Sequence, residues 1–508
     1  MKKSILLFCV IAASLPAFAE IKMPAIFGDN MVLQRGKPAC IWGKSDAKSK
    51  IEVQFGSNKA HAKADKDGNW KLYLKPMKAD KNAKQLKVFE NGKEEKSFNN
   101  VLVGEVWVLS GQSNMEYPVS GWNPKNPDAE NVKKRANYPL MRSIKLVGCS
   151  ARGPQSDVIS ASKGWRVTTP ECVLSYSAVG FNFAEIIMKD IDVPVAIIDT
   201  SLGGSKMCAW IPSEYMNKDE YLAPQYKNFL KALEAYDYKK ALETYNADMK
   251  KYTENVKAGK KLRRPRQPLP DSPYSQQATF SGLYNARISP IGGYTARGVL
   301  WYQGESDSNL KAEQFTSQLE KIVDSWRALW NDKSLWFLQV QLTSFETSAN
   351  WPEARKGQFD AAKSIKNCGI VNIIDLGDKK DIHPLNKKDV GKRLANLALR
   401  KVYKKKAPNF NTSYASCKFD GSKATLKLDR ECSNEKVSLE GEMRGIEVKV
   451  DGKWVAPKSA KLQGNKLVVS ADSKIEGVRY LWKNWANDDV CLFNSSKVPV
   501  FPFIFETK

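Results

Sequence analysis

The chain has 508 residues, 42% of them hydrophobic, and 80 Lys+Arg against 55 Asp+Glu give a formal charge of +25. That length exceeds a single core, so two or three domains are expected. The basic excess is mostly lysine scattered among acids, without a zinc-finger, RNP or helix-turn-helix pattern. A nucleic-acid partner is therefore not expected, and the charge reads as a solvated surface or as steering toward an acidic glycan.

At the N-terminus Lys2 and Lys3 precede an apolar run over residues 5–13, and Ala17-Phe-Ala19 follows. This is the pattern of a signal peptide over residues 1–19, which predicts export to the periplasm or the extracellular space. No later stretch approaches the roughly 20 apolar residues of a membrane span. Setting aside Cys9 leaves eight of the nine cysteines, an even number spread through a large chain. A few local bridges or buried thiols are expected, with pairing left open.

Residues 20–100 show short alternating runs, such as Ile51-Glu-Val-Gln-Phe55 and Trp70-Lys-Leu-Tyr-Leu74, separated by Asp-Gly and Asn-Gly turns. They predict an N-terminal antiparallel β domain. From 101 to 405 the apolar runs become continuous: Val106-Trp-Val-Leu109, Val195-Ala-Ile-Ile198, Val299-Leu-Trp301, Trp336-Phe-Leu-Gln-Val340 and Val371-Asn-Ile-Ile374. Such runs suit strands buried on both faces. Helical spacing lies between them at Phe315, Leu319, Ile322, Trp326 and Leu329, and at Val390, Leu394 and Leu397. Strands alternating with helices predict an α/β domain built on a doubly wound parallel sheet. An insert over about 216–270 carries Tyr238, Leu242, Tyr245, Met249, Tyr252 and Val256 on one amphipathic helix, and this stripe is expected to pack. Residues 406–508 return to short alternating strands and predict a C-terminal antiparallel β domain.

The chain has only two histidines, His61 and His383. His61 falls on the wet side of an N-terminal strand, whereas His383 lies in a loop after an apolar strand of the α/β domain. The carboxyl edge of an open α/β sheet is where ligands and catalytic groups gather, so His383 is the better candidate for a base. The strand at 106–109 runs into Ser110-Gly-Gln-Ser113, a turn that can present Ser113 at that same edge. A serine hydroxyl needs a neighbouring base and an oxyanion site before it attacks a carbonyl. The sequence is not the Gly-x-Ser-x-Gly elbow.

Gly104-Glu-Val-Trp-Val-Leu-Ser-Gly-Gln-Ser-Asn-Met115 resembles the first block of the sialate O-acetylesterase family within the SGNH hydrolases. The likeness continues in family order through Asp199-Thr-Ser-Leu-Gly-Gly-Ser205, Leu283-Tyr-Asn285, Gly298-Val-Leu-Trp-Tyr-Gln-Gly-Glu-Ser306 and Asp381-Ile-His-Pro384. Asn30-Met-Val-Leu-Gln34 and Val478-Arg-Tyr-Leu-Trp482 extend it into both flanking regions. The resemblance implies an SGNH-like fold, Ser113 as nucleophile and His383 as base. Many SGNH enzymes carry aspartate three residues before the histidine, where this chain has Lys380. Asp381, two residues before it, fits the pattern of the sialate O-acetylesterase family and is the orienting acid the resemblance implies, with Asp378 or a backbone carbonyl as alternatives. The resemblance further implies an oxyanion hole from Ser113, the Gly203–Gly204 turn and the Gln303 amide. Asn114, Asn285, Glu305 and Trp210 become candidates for the substrate pocket, although Trp210, Trp301 and Tyr302 read first as core. Arg287 replaces an apolar residue and its role stays open. The implied substrate is an O-acetylated sugar, foremost O-acetylated sialic acid, with acetylated xylan or another plant polysaccharide as the alternative. No cofactor or metal is implied. A non-catalytic glycan-binding protein is the reading from another class.

Overall fold

Along the strand Lys93–Gly111 (β1), Val106 and Val108 join one hydrophobic cluster while Trp107 and Leu109 join another. Successive side chains point to opposite faces, so a strand apolar on both sides needs cover on both. The computed structural model, which describes residues 20–122, 125–148, 150–158, 160–409, 411–432 and 434–507, supplies it. The leader expected at 1–19 lies outside the described residues.

Six further strands form the sheet around β1: β2 (Tyr138–Val147), β3 (Ser160–Thr168), β4 (Val195–Asp199), β5 (Gly298–Tyr302), β6 (Trp336–Val340) and β7 (Cys368–Val371). Their order is β7-β6-β5-β1-β4-β2-β3, and all pairs are parallel except β2 with the edge strand β3. Helices α1 (Ala178–Ile191) and α4 (Lys387–Lys401) share a cluster with Trp107 and Leu109. Helices α2 (Ala312–Trp330) and α3 (Trp351–Ser364) share the cluster of Val106 and Val108. The expected helical stripes face inward: Phe315, Leu319, Ile322 and Trp326 are buried on α2, and Val390, Leu394 and Leu397 on α4.

The fifth apolar run departs from expectation. β7 ends at Val371, because the Asn372 side chain accepts from Ile374 N–H (3.0 Å) and donates to Pro499 O (3.0 Å). The chain then makes a single tight turn, Ile374–Leu376, and Ile374 enters the core of the C-terminal region instead.

The boundary expected at residue 100 falls inside β1. Its first half pairs antiparallel with Asp80–Glu90, which pairs in turn with Lys50–Phe55, and its second half enters the parallel sheet. After α4, two four-stranded antiparallel sheets enclose a third core. In the insert, the stripe on the helix Tyr238–Lys257 does not make core: no residue of that helix is buried. Packing there comes from Leu222 and Phe229 of the preceding helix, with Phe280 stacked on Phe229 at 5.1 Å. Cys40, Cys208 and Cys491 are buried thiols, and Cys172, Cys368 and Cys417 are half-buried ones. For these six the thiol alternative holds over local bridges. No described helix is long and apolar enough to cross a membrane.

Candidate active site

Gly111 ends β1 with φ of 119°, and a Cβ there would meet Tyr302 O of the neighbouring strand at 2.2 Å. Only glycine permits that close approach. The chain then turns through Gln112 into the one-turn helix Ser113–Glu116, which places Ser113 at the carboxyl edge of the sheet. His383 arrives at the same edge on the loop between β7 and α4, and its Nε2 lies 2.8 Å from Ser113 Oγ. The sequence's two catalytic candidates, 270 positions apart, are thus in hydrogen-bond contact. The other histidine, His61, is 69% exposed in its side chain beside Glu52, far from any such arrangement.

On its other ring nitrogen, His383 Nδ1 faces Asp381 Oδ1 at 3.6 Å, longer than a hydrogen bond. That same oxygen accepts the backbone N–H of His383 at 2.8 Å, which fixes the loop. Asp378 caps the loop one step earlier, accepting from the N–H groups of Lys380 and Asp381. Partial burial and the Lys387 ammonium hold the His383 imidazole below its ordinary pKa, against the opposing pull of Asp381. The ring is therefore neutral and able to accept a proton at pH 7.

Asn114 is a buried tie rather than a pocket wall. Its Nδ2 donates to Glu305 Oε1 (2.5 Å) and Ile382 O (3.0 Å), and its Oδ1 accepts from Lys387 Nζ (2.6 Å). The serine turn, the turn after β5 and the histidine loop are joined at this one side chain. Burial pushes Lys387 down to about 7 and raises the Glu305 carboxyl above its ordinary value. Lys387 also donates to Pro384 O at 2.6 Å and lies over the Tyr117 ring at 4.9 Å.

The expected oxyanion donors divide into two sets. The backbone N–H groups of Ser113 and Gly204 make no hydrogen bond among the described residues, and Gly204 takes φ of 71°. Gly203 N–H, in contrast, donates to Glu116 Oε2 at 2.7 Å. Gln303 is fully buried, and its Nε2 donates to Ser205 O (3.0 Å) and Asp307 Oδ2 (2.5 Å).

The two other pocket candidates, and Arg287 whose role was open, are buried in structural ties or core. Asn285 is buried and donates to Ala151 O and Arg152 O, bracing the loop after β2. Trp210 is fully buried against Trp301 and Trp326, so the core reading holds for it. Arg287 is buried among backbone carbonyls, with Ser201 O at 2.8 Å and Gly148 O at 2.8 Å, which ties the ends of β2 and β4.

Sequence reasoning missed three neighbours of the pair. Trp122 is 44% exposed and meets the His383 ring edge-on at 5.2 Å. Glu116 holds the Gly203 N–H, and Lys387 supplies the cation behind His383. Only Lys387 left a signal, four residues after His383 at the start of a helix.

An α/β sheet with a serine–histidine contact at its carboxyl edge is an arrangement able to support ester hydrolysis, and the proteins this chain is similar to are esterases. Residues 274–400 match the family described as carbohydrate esterase, sialic acid-specific acetylesterase. The chain is 28% identical to a crystallised carbohydrate acetylesterase from Xanthomonas citri, with a TM-score of 0.78 over 96% of this chain and 100% of that one. It is also similar to the sialate O-acetylesterases of rat (24% identity, 78% of this chain and 76% of the relative) and human (23%, 95% and 92%). The likeness to carbohydrate acetylesterases thus runs over most of the chain, and residues 274–400 carry the part that matches the family itself.

Proposed function

We propose that this chain is an exported esterase that removes O-acetyl groups from sugars, sialic acid foremost, through an SGNH-type Ser113–His383 mechanism. The observation that carries the reading is the 2.8 Å contact between His383 Nε2 and Ser113 Oγ. Ser113 Oγ attacks the acetyl carbonyl while Nε2 takes its proton. Nε2 then returns that proton to the departing sugar oxygen, leaving an acetyl-enzyme. Water repeats the sequence on the acetyl group, releasing acetate and restoring Ser113.

The tetrahedral oxyanion is met first by the unengaged N–H groups of Ser113 and Gly204. Gly203 N–H joins them once the Glu116 carboxylate turns toward Lys145, whose ammonium is already 3.3 Å from Glu116 Oε1. Gln303 contributes its amide only by leaving Ser205 O or Asp307. Each such donor is worth about 3 kcal/mol in the transition state. Asp381 orients His383 from a loose contact, so its contribution is smaller than that of a buried triad acid.

Trp122 favours a second reading of the substrate. An exposed indole beside the base is a platform for a further sugar residue, which suits an acetylated polysaccharide such as xylan.

Acetate release from a simple acetyl ester, O-acetylated sialic acid and acetylated xylan separates these readings. Ser113→Ala and His383→Ala are expected to lose about 10⁴-fold or more in kcat/KM. Asp381→Asn should lose about 10- to 100-fold, short of the ~10⁴-fold cost of a buried triad aspartate. A wild-type protein inert on all three substrates, yet able to bind a glycan, would replace the esterase reading with that of a binding protein.

A further inference from the structure

A cavity of about 310 Å³ lies between α3 and the C-terminal sheets, lined by none of the residues of the Ser113–His383 site. Arg355, Tyr414 and Gln341 stand in its wall, and each carries a buried polar atom without a partner among the described residues. Arg355 is 1% exposed. Its Nη2 donates to the carbonyls of Leu481 and Lys483, but Nε and Nη1 have no acceptor. Burial is what lowers its pKa, to about 9.

A buried guanidinium without a counter-ion is costly, because neither hydration nor pairing offsets its transfer from water. An ordered water can satisfy a donor, but it brings no charge. Both ammonium groups of the wall are already paired, Lys356 with Asp360 and Lys363 with Asp429, the latter at 2.5 Å. The cation left without an anion in this wall is therefore Arg355. The other unmatched atoms are the Tyr414 hydroxyl and Gln341 Oε1, whose own amide nitrogen holds Arg355 O at 3.1 Å. Phe359 and Phe503 supply apolar faces beside them.

Cationic donors, a hydroxyl, an amide oxygen and aromatic faces together match a ligand that has a carboxylate, hydroxyls and a C–H-lined ring. The volume sits at the lower end of the ~300–1,000 Å³ usual for ligand pockets, which fits one sugar ring better than a chain. We propose that this cavity is a second, non-catalytic site for a carboxylate-bearing monosaccharide, with Arg355 receiving the carboxylate and Tyr414 and Gln341 the hydroxyls. Such a site holds the enzyme to acidic glycans independently of turnover.

Calorimetric titration of the full chain carrying Ser113→Ala tests this without hydrolysis. Glucuronate and N-acetylneuraminate are the probes, with glucose and acetate as controls. A sugar acid should bind at least tenfold more tightly than either control. Arg355→Met in the same background should weaken it tenfold or more, and Tyr414→Phe a few-fold. Should Arg355→Met fail to fold, the Tyr414→Phe loss and the selectivity over glucose and acetate carry the test. The proposal is overturned if no sugar acid binds, if the controls bind equally well, or if binding survives Arg355→Met, which would place the ligand at the catalytic site. Because Ser113 is absent throughout, these outcomes are separate from the fate of the esterase reading.

Discussion

Lys387 is the side chain that sets the electrostatics around His383. It is buried, and its ammonium is fully formed below its pKa of about 7. In that range a second positive charge on His383 is disfavoured, which adds to the effect of burial in holding the imidazole below its ordinary value. In the proposed mechanism the base works only when neutral, so kcat/KM should rise with pH through an apparent pKa below 6.5, the ordinary histidine value. Lys387→Met keeps an unbranched chain in the channel beside Tyr117 and removes the charge. Protonated His383 then becomes less costly, its pKa rises, and the acid limb of the pH–rate profile moves to higher pH. A purely structural role for Lys387 predicts a lower rate with an unmoved limb. The Asp381 carboxylate pulls His383 the other way, so the wild-type limb reports the balance of the two.

The strand ends and turns show how much of the site was legible. Four of the five continuous apolar runs are strands of the parallel sheet, because burial on both faces demands apolar residues at every position. The fifth was misread because Ile374 is apolar for another core, which periodicity in one segment does not reveal. The stripe on Tyr238–Lys257 is the helix's half-buried side without being core: amphipathic spacing gives the face, not how deeply it is covered. Ser113 and His383 were legible because strand ends deliver residues to the carboxyl edge. Trp122 and Glu116 were not, because their approach depends on loop paths with no period. Gly111 links the two kinds of information. Its carbonyl accepts from Leu202 N–H at 3.0 Å, so the turn that presents Ser113 also anchors the loop before Gly203. Gly111→Ala forces a Cβ against Tyr302 O and a backbone region that other residues avoid. It is expected to cost at least about 2 kcal/mol in stability and to lower kcat/KM beyond what unfolding explains. Denaturant midpoints and rates measured together check both effects.

Across the molecule, the three blocks are held by buried polar ties that cross between them. The β1 strand already joins the N-terminal sheet to the central one, and the Gln34 side chain adds a bond to Val106 N–H at 2.8 Å. Glu105 closes the junction. Its buried carboxylate meets Arg35 Nε (2.5 Å), Arg297 Nε (2.8 Å), Gln34 Nε2 (3.2 Å) and the Tyr403 hydroxyl (3.1 Å), from both ends of the first two blocks. The C-terminal block is tied by Asn484, which donates to Thr347 O and to Ala349 O at 2.7 Å. Burial alone would raise the Glu105 pKa, but Arg297 and Arg35 outweigh it and hold the carboxyl below its ordinary value. The sign of the linkage follows from that depression. Glu105 contributes stability above its unfolded pKa and loses it as pH falls through the lower folded value. Glu105→Gln leaves two guanidinium groups facing a neutral amide. The expected loss near pH 7 is about 3 kcal/mol, the lower end of the ~3–5 kcal/mol for breaking a buried pair, because both arginines reach water. As pH falls and the wild-type carboxyl takes up its proton, the two proteins should converge in stability. Unfolding curves in denaturant at several pH values measure that gap. A gap that stayed constant into the acid range would assign the Glu105 contribution to packing rather than to charge.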